Sequence, residues 1–304
     1  MESNIDINKK ENKEKILSPG RIFWNKLKKN RTSKIGFFIL LFMVLFTVVG
    51  PFLSPYKSDT MDYTSAYYGP CLQHLFGTDS LGRDIFTRMM YAGRISLSVG
   101  IFSVVVEVIV GGSIGIIAGF YGGVVDSILM RLVDIFLCIP VLPILITGGV
   151  IMSDLKISPS LRPIYLMFMI GLLSWAGLCR LVRGQILSIR GLEYMQATEA
   201  LGLSDRRRMF KHMLPNVVHA IIVQSTLDVG GAIITESVLS FLGMGVVPPT
   251  PSWGQMIDVV SDMYNMQHYP WLWIIPGVFI LLTVVSINLF GDGLREALDP
   301  KLTR

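Results

Sequence analysis

Apolar positions in this chain are gathered into long blocks separated by polar stretches. Residues 35–56 run for 22 positions without a charge, enough for a helix to cross about 30 Å of hydrocarbon at ~1.5 Å per residue. Five further blocks follow at 95–120, 124–152, 163–182, 217–245 and 271–290. Only helices and closed barrels satisfy their backbone groups in lipid, so blocks of this length predict an all-α integral membrane protein with six spans. A cleaved leader does not fit the first block: 34 residues precede it, it is too long, and no A-x-A site follows.

Composition agrees with that pattern. The 304 residues are 51% hydrophobic and 16% charged, against about 25% charged in an ordinary soluble domain. Mean hydropathy is +0.55. A cytosolic enzyme is excluded on these grounds. The net charge of +5 is not spread evenly, since ten of the 27 Lys and Arg lie in residues 1–34 and seven more between Arg180 and Lys211. Such clustering marks membrane orientation, and no nucleic-acid partner is expected. With six spans, one side collects 20 cations and the other five, which places both termini in the cytoplasm. The chain then divides into a basic tail (1–34), a first span (35–56), an extracytoplasmic loop (57–93), a core of five spans (94–292) and a cytoplasmic tail (293–304). Inside the core, residues 183–216 form a long basic cytoplasmic loop.

Chemistry is sparse. No G-x-x-x-x-G-K-[ST] loop or H-E-x-x-H pair occurs, the four histidines are scattered, and Cys71, Cys138 and Cys179 form no CxxC pair. Neither a catalytic residue, a metal site nor a cofactor of its own is therefore expected. Ser113 sits in a G-x-S-x-G match, but within an apolar helix and not on the strand-turn-helix elbow that chemistry needs. Gly111, Gly115, Gly119 and Gly123 recur every four residues and predict one helix face open to close packing. Among ionisable residues in the apolar blocks, Asp126, Arg131 and Asp134 are spaced to pair with one another. Asp228 and Glu236, two turns apart in the fifth span, are either lining for a water-filled path or helix-to-helix hydrogen-bonding groups.

The two long loops carry the remaining signals. In the inner one, residues 193–201 read as a short helix stopped by Gly202, and Ser204 or Asp205 as the cap of a second helix reaching Pro215. This loop resembles the EAA loop of ABC importer permeases. Gln196-Ala197-Thr198 stands in the E-A-A triplet, with Gln for Glu and Thr for the second Ala; Gly202 takes the glycine position and Leu214-Pro215 the closing L-P. The outer segment from His74 through Gly77-Thr78-Asp79 to Gly82-Arg83-Asp84 is similar to the H-P-F-G-T-D-x-x-G-R-D segment of the dipeptide, oligopeptide and nickel permeases. Leu239-Ser240-Phe241-Leu242-Gly243, the 248–254 run and Gly291-Asp292-Gly293-Leu294-Arg295 resemble further signatures of that family. The basic N-terminal tail and the closing Leu298-Asp299-Pro300 resemble its C-type subunit.

The resemblance implies a type I importer permease fold in a bacterial cell membrane and a non-catalytic subunit of a peptide importer. The implied partners are a paralogous permease, two ATPase subunits that bind ATP and Mg, and an extracytoplasmic binding protein. It implies ATPase coupling at Glu193, Gln196, Ala197, Thr198, Glu199, Ala200, Gly202, Asp205, Leu214 and Pro215. The outer vestibule or binding-protein contact would involve His74, Asp79, Arg83 and Asp84. Alternatives are a nickel importer of the same family and a secondary transporter, the latter expected to carry an inverted repeat that this sequence does not display.

Overall fold

The computed structural model describes residues 19–298. Much of the 1–34 tail and the end of the 293–304 tail lie outside the described residues. Helices α1 (Pro19–Lys29), α2 (Arg31–Val48) and the one-turn α3 (Gly50–Leu53) lead into the outer cap. Then come α4 (Ile85–Tyr121), α5 (Gly123–Cys138), α6 (Val141–Asp154) and α7 (Arg162–Arg190). The inner loop holds α8 (Glu193–Ala200) and the single turn α9 (Asp205–Arg207), which continues through a π-helical stretch, Arg208–Met213, into α10 (Leu214–Phe241). After the short α11 (Trp253–Ile257) and α12 (Met263–His268), α13 (Trp271–Leu298) ends the described chain.

Five helices are long and apolar enough to cross a membrane, counting Asp205–Phe241 as one, and the α5–α6 pair makes a sixth if taken as one broken span. The 124–152 block is therefore not the single straight helix expected of it: α5 and α6 meet at 76°. Pro140 explains the break, because its ring drives the preceding Ile139 out of the helical region and it offers no N–H. Ile139 accordingly sits extended at φ −80°, ψ 127°.

Helix lengths also outrun the apolar blocks. At 37 residues α4 is about 55 Å long, well beyond the hydrocarbon. It starts at Ile85 inside the polar outer segment, because Asp84 caps it by accepting from Thr87 N at 2.7 Å. Likewise α7 runs on to Arg190, into what reads as loop.

The centre of the molecule is the α4–α7 crossing, and the glycine row makes it. A Cβ on Gly111 would lie 2.5 Å from the Trp175 carbonyl oxygen, on Gly115 2.6 Å from that of Cys179, and on Gly119 2.7 Å from Ile186 Cβ. Backbones touch here because nothing stands between them. Gly123 does not join the row: α4 has ended, and the residue turns at φ +53° with open space around it. Elsewhere in the bundle α2 lies on α13, where Gly36 faces the Ser286 carbonyl and Asn30 donates to Glu296.

The expected pairing of Asp126, Arg131 and Asp134 among themselves is corrected. Arg183 donates to both oxygens of Asp126, and Arg180 to Asp134, so both acids tie α5 to α7. Spacing along one helix could not reveal arginines 46 and 57 positions away.

Candidate functional site

The inner loop presents a polar ledge on a buried anchor. Within α8 only Met195 is buried, at 1% exposure, and it packs with Phe120, Val182, Ile186, Met213 and Val217. One side chain thus seats α8 in a core to which α4, α7 and α10 all contribute. Glu193, Gln196, Ala197, Glu199, Ala200, Gly202, Asp205 and Pro215 are exposed, whereas Thr198 and Leu214 are half-buried.

Local chemistry sets the shape of the turn. Leu201 N–H donates to Ala197, Gly202 N–H to Glu199 and Leu203 N–H to Thr198, closing the helix end. Gly202 adopts φ +68° and faces open space, so backbone handedness, not crowding, requires glycine there. In the altered triplet the Thr198 hydroxyl turns back to the Met195 carbonyl at 2.6 Å, and Gln196 reaches Gly191 O at 3.5 Å.

The second leg differs from the expected short helix. It does not stop at Pro215 but becomes the start of α10, with Leu214 N–H donating five residues back to Met209 O. This widened turn precedes a proline that has no N–H to donate. A movement of the ledge is therefore a movement of α10 itself.

Arg208, a residue the sequence reading did not single out, clasps the two legs. It donates to Glu199 at 2.6 Å, lies 3.6 Å from Asp205, and stacks over the Phe120 ring at 5.3 Å. The signal was present as one cation among three, Arg206 to Arg208, with nothing in sequence to say which turns inward.

The outer segment folds on itself. Asp79 accepts from Leu81 N and Arg83 N and pairs with Arg83 Nε at 2.7 Å; His74 Nδ1 lies 3.0 Å from Asp84, the cap of α4. Gly82 turns at φ +68°, where a Cβ would fall 1.7 Å from the Asp62 carbonyl oxygen. The Asp62 carboxyl is held below its ordinary value by the hydroxyls of Thr64 and Ser65 and the Thr64 N–H. All four predicted outer residues are thus brought together within one cap.

Asp228 and Glu236 do not share a site. Asp228 accepts from Gln224 on Oδ1 at 2.9 Å, and its Oδ2 is buried without a hydrogen-bond partner among the described residues. Glu236, at 0% exposure, accepts from Ser96 at 2.9 Å and Ser240 at 2.7 Å. Those hydroxyls in turn accept from Trp253 N and Val246 N, so one carboxyl ties α4 and α10 to the start of α11.

A bundle of long apolar helices with a self-folded outer cap and an anchored inner ledge defines a multi-pass membrane permease. Residues 111–304 match the family described as binding-protein-dependent transport system inner membrane component, and residues 18–70 match the N-terminal transmembrane domain of oligopeptide transport permease C. The chain belongs to this family, whose members are non-catalytic transport subunits. It is similar to the dipeptide transport system permease protein DppC of Bacillus subtilis, 42% identical over 92% of this chain and 85% of that one. It is also similar to the oligopeptide transport system permease protein OppC of the same organism, at 36% over 96% and 94%. A third relative is the glutathione transport system permease protein GsiD of Pectobacterium atrosepticum, at 38% over 94% and 93%.

Proposed function

We propose that this chain is one of two transmembrane subunits of an ATP-driven importer of short peptides. A paralogous permease supplies the other half of the pathway. Two cytoplasmic ATPase subunits bind ATP and Mg, which this chain does not, and an extracytoplasmic binding protein delivers the cargo. The observation that carries the reading is the ledge: α8 exposes a polar face while Met195 seats it in a core shared by three spans. The peptide cargo is supported by relatives named for dipeptide and oligopeptide transport, and the nickel alternative is not favoured. Both termini lie in the cytoplasm, on the side where the cations cluster.

In this reading, closure of the ATPase dimer pushes the ledge, and its second leg carries the push into α10 without an interruption in the helix. Turning a 99:1 inward-facing majority into a 99:1 outward-facing one takes about 5.5 kcal/mol of differential binding. ATP at the partner subunits provides it. Gly202→Trp should place a bulky ring on the exposed ledge, abolishing stimulated ATPase activity of the assembled transporter while the spans still insert. Normal stimulation in that assembled mutant would refute the lever. Uptake of labelled di-, tri- and pentapeptides and of nickel, with and without this chain, tests the cargo. Uptake surviving loss of the ATPase subunits would instead mark a secondary carrier.

A further inference from the structure

Beneath the outer cap, between the starts of α4 and α13, lies a cavity of about 210 Å³ that the coupling ledge does not touch. Two arginines, Arg83 and Arg88, and two aspartates, Asp79 and Asp258, line it. Arg83 is half-buried and pairs with Asp79 through Nε at 2.7 Å. Arg88 lies deeper. It is 2% exposed, and among the described residues it makes one hydrogen bond, from Nη1 to Ser58 O at 3.2 Å. Its carboxylate neighbours, Asp59 at 3.7 Å and Asp79 at 3.8 Å, are beyond hydrogen-bond distance. A guanidinium carries five N–H donors, so most of its capacity is unspent. Gln255 lines the same cavity, and its Oε1 is buried without a donor among the described residues. Buried donors and acceptors left without partners are costly.

We propose that this cavity is a subsite for a short peptide with free ends. Arg88 receives the terminal carboxylate, Gln255 the peptide unit, and Asp258, exposed at the rim, the ammonium group. The inference rests on the peptide reading above. Three observations select this ligand. A guanidinium matches a carboxylate through paired N–H bonds. A peptide unit offers both N–H and C=O, so it satisfies the Gln255 amide in either orientation. A zwitterion also adds no net charge to a wall where arginines and aspartates balance, whereas a lone ion would bury an uncompensated one. The cavity is smaller than the ~300–1,000 Å³ typical of sites for drug-sized ligands, which limits it to a peptide of about two residues.

The test is equilibrium binding of labelled Ala-Ala, its N-acetyl form and its C-terminal amide to the assembled transporter in nanodiscs, without the delivery protein. Free Ala-Ala should bind, each blocked form should bind about tenfold more weakly, and Asp258→Asn should remove the penalty for acetylation. Arg88→Lys should weaken binding of the free form toward that of the amide. Because Arg88 is buried and its variant could unseat the cap, Asp258→Asn at the exposed rim and Gln255→Leu carry the decision. Dipeptide uptake by cells holding the complete transporter separates the two readings. If wild-type uptake depends on this chain while Asp258→Asn and Gln255→Leu leave binding and the KM for uptake unchanged, the subsite is overturned and the peptide reading stands. If wild-type cells take up no peptide, the peptide reading falls and the subsite with it.

Discussion

The inner ledge and the outer cap are both charged loops of similar length, yet they treat their charges in opposite ways. In the cap, Asp79, Arg83, His74 and Asp84 are spent on one another and on the start of α4. On the ledge, Glu193, Gln196, Glu199 and Asp205 are exposed, and Arg208 turns in. The cap is held by polar geometry around left-handed glycines, and the ledge by two buried methionines, Met195 and Met213. A loop that consumes its polar groups folds into a cap of its own, whereas a loop that anchors by an apolar plug keeps its polar face exposed.

The largest expected effect comes from breaking the cap. Gly82→Val puts a branched side chain at φ +68° and against the Asp62 carbonyl, costing more than the ~1–3 kcal/mol of backbone strain alone. The melting temperature of the purified transporter should drop accordingly; an unchanged value would mean that this turn does not hold the cap. Next is Met195→Ala on the ledge, where emptying a fully buried site costs about 2–5 kcal/mol. Hydrogen exchange should rise across 193–207 while the cap stays protected, and exchange rising equally in both regions would erase the contrast.

A smaller change sharpens the same contrast. Arg208→Gln cuts the clasp to Glu199, but that partner is largely exposed, so no more than about 1 kcal/mol is expected. The readout is a wider distance distribution between spin labels on the two legs, with melting temperature barely moved. At the bottom of the scale, Gln196→Glu and Thr198→Ala restore the usual triplet on an exposed or half-exposed face. Their stability effect should stay within about 0.5 kcal/mol in denaturant or thermal titrations, and a larger one would show that the triplet shapes the subunit itself.

Much of the site was legible in sequence because it is local. Helix 193–201, its stop at Gly202 and the close packing at Gly111, Gly115 and Gly119 all follow from residue type at fixed spacing. The inward turn of Arg208 was not legible, since Arg206 and Arg207 beside it carry the same charge. Nor was the separation of Glu236 from Asp228: equal spacing on a helix cannot tell that one acid meets Ser96 and Ser240 while the other meets Gln224.

From its own pattern of apolar blocks and clustered cations the sequence determined that this is a many-span membrane protein, which stretches are apolar enough to cross, and where the long polar loops lie. Those outcomes depend on transfer of side chains from water to lipid, which each block decides for itself. Only tertiary structure decided that α5 and α6 bend at 76°, that Asp126 and Asp134 answer to arginines on α7, and that the second leg of the ledge is continuous with α10. These depend on which groups meet across helices, and a partner dozens of residues away leaves no trace in the local pattern.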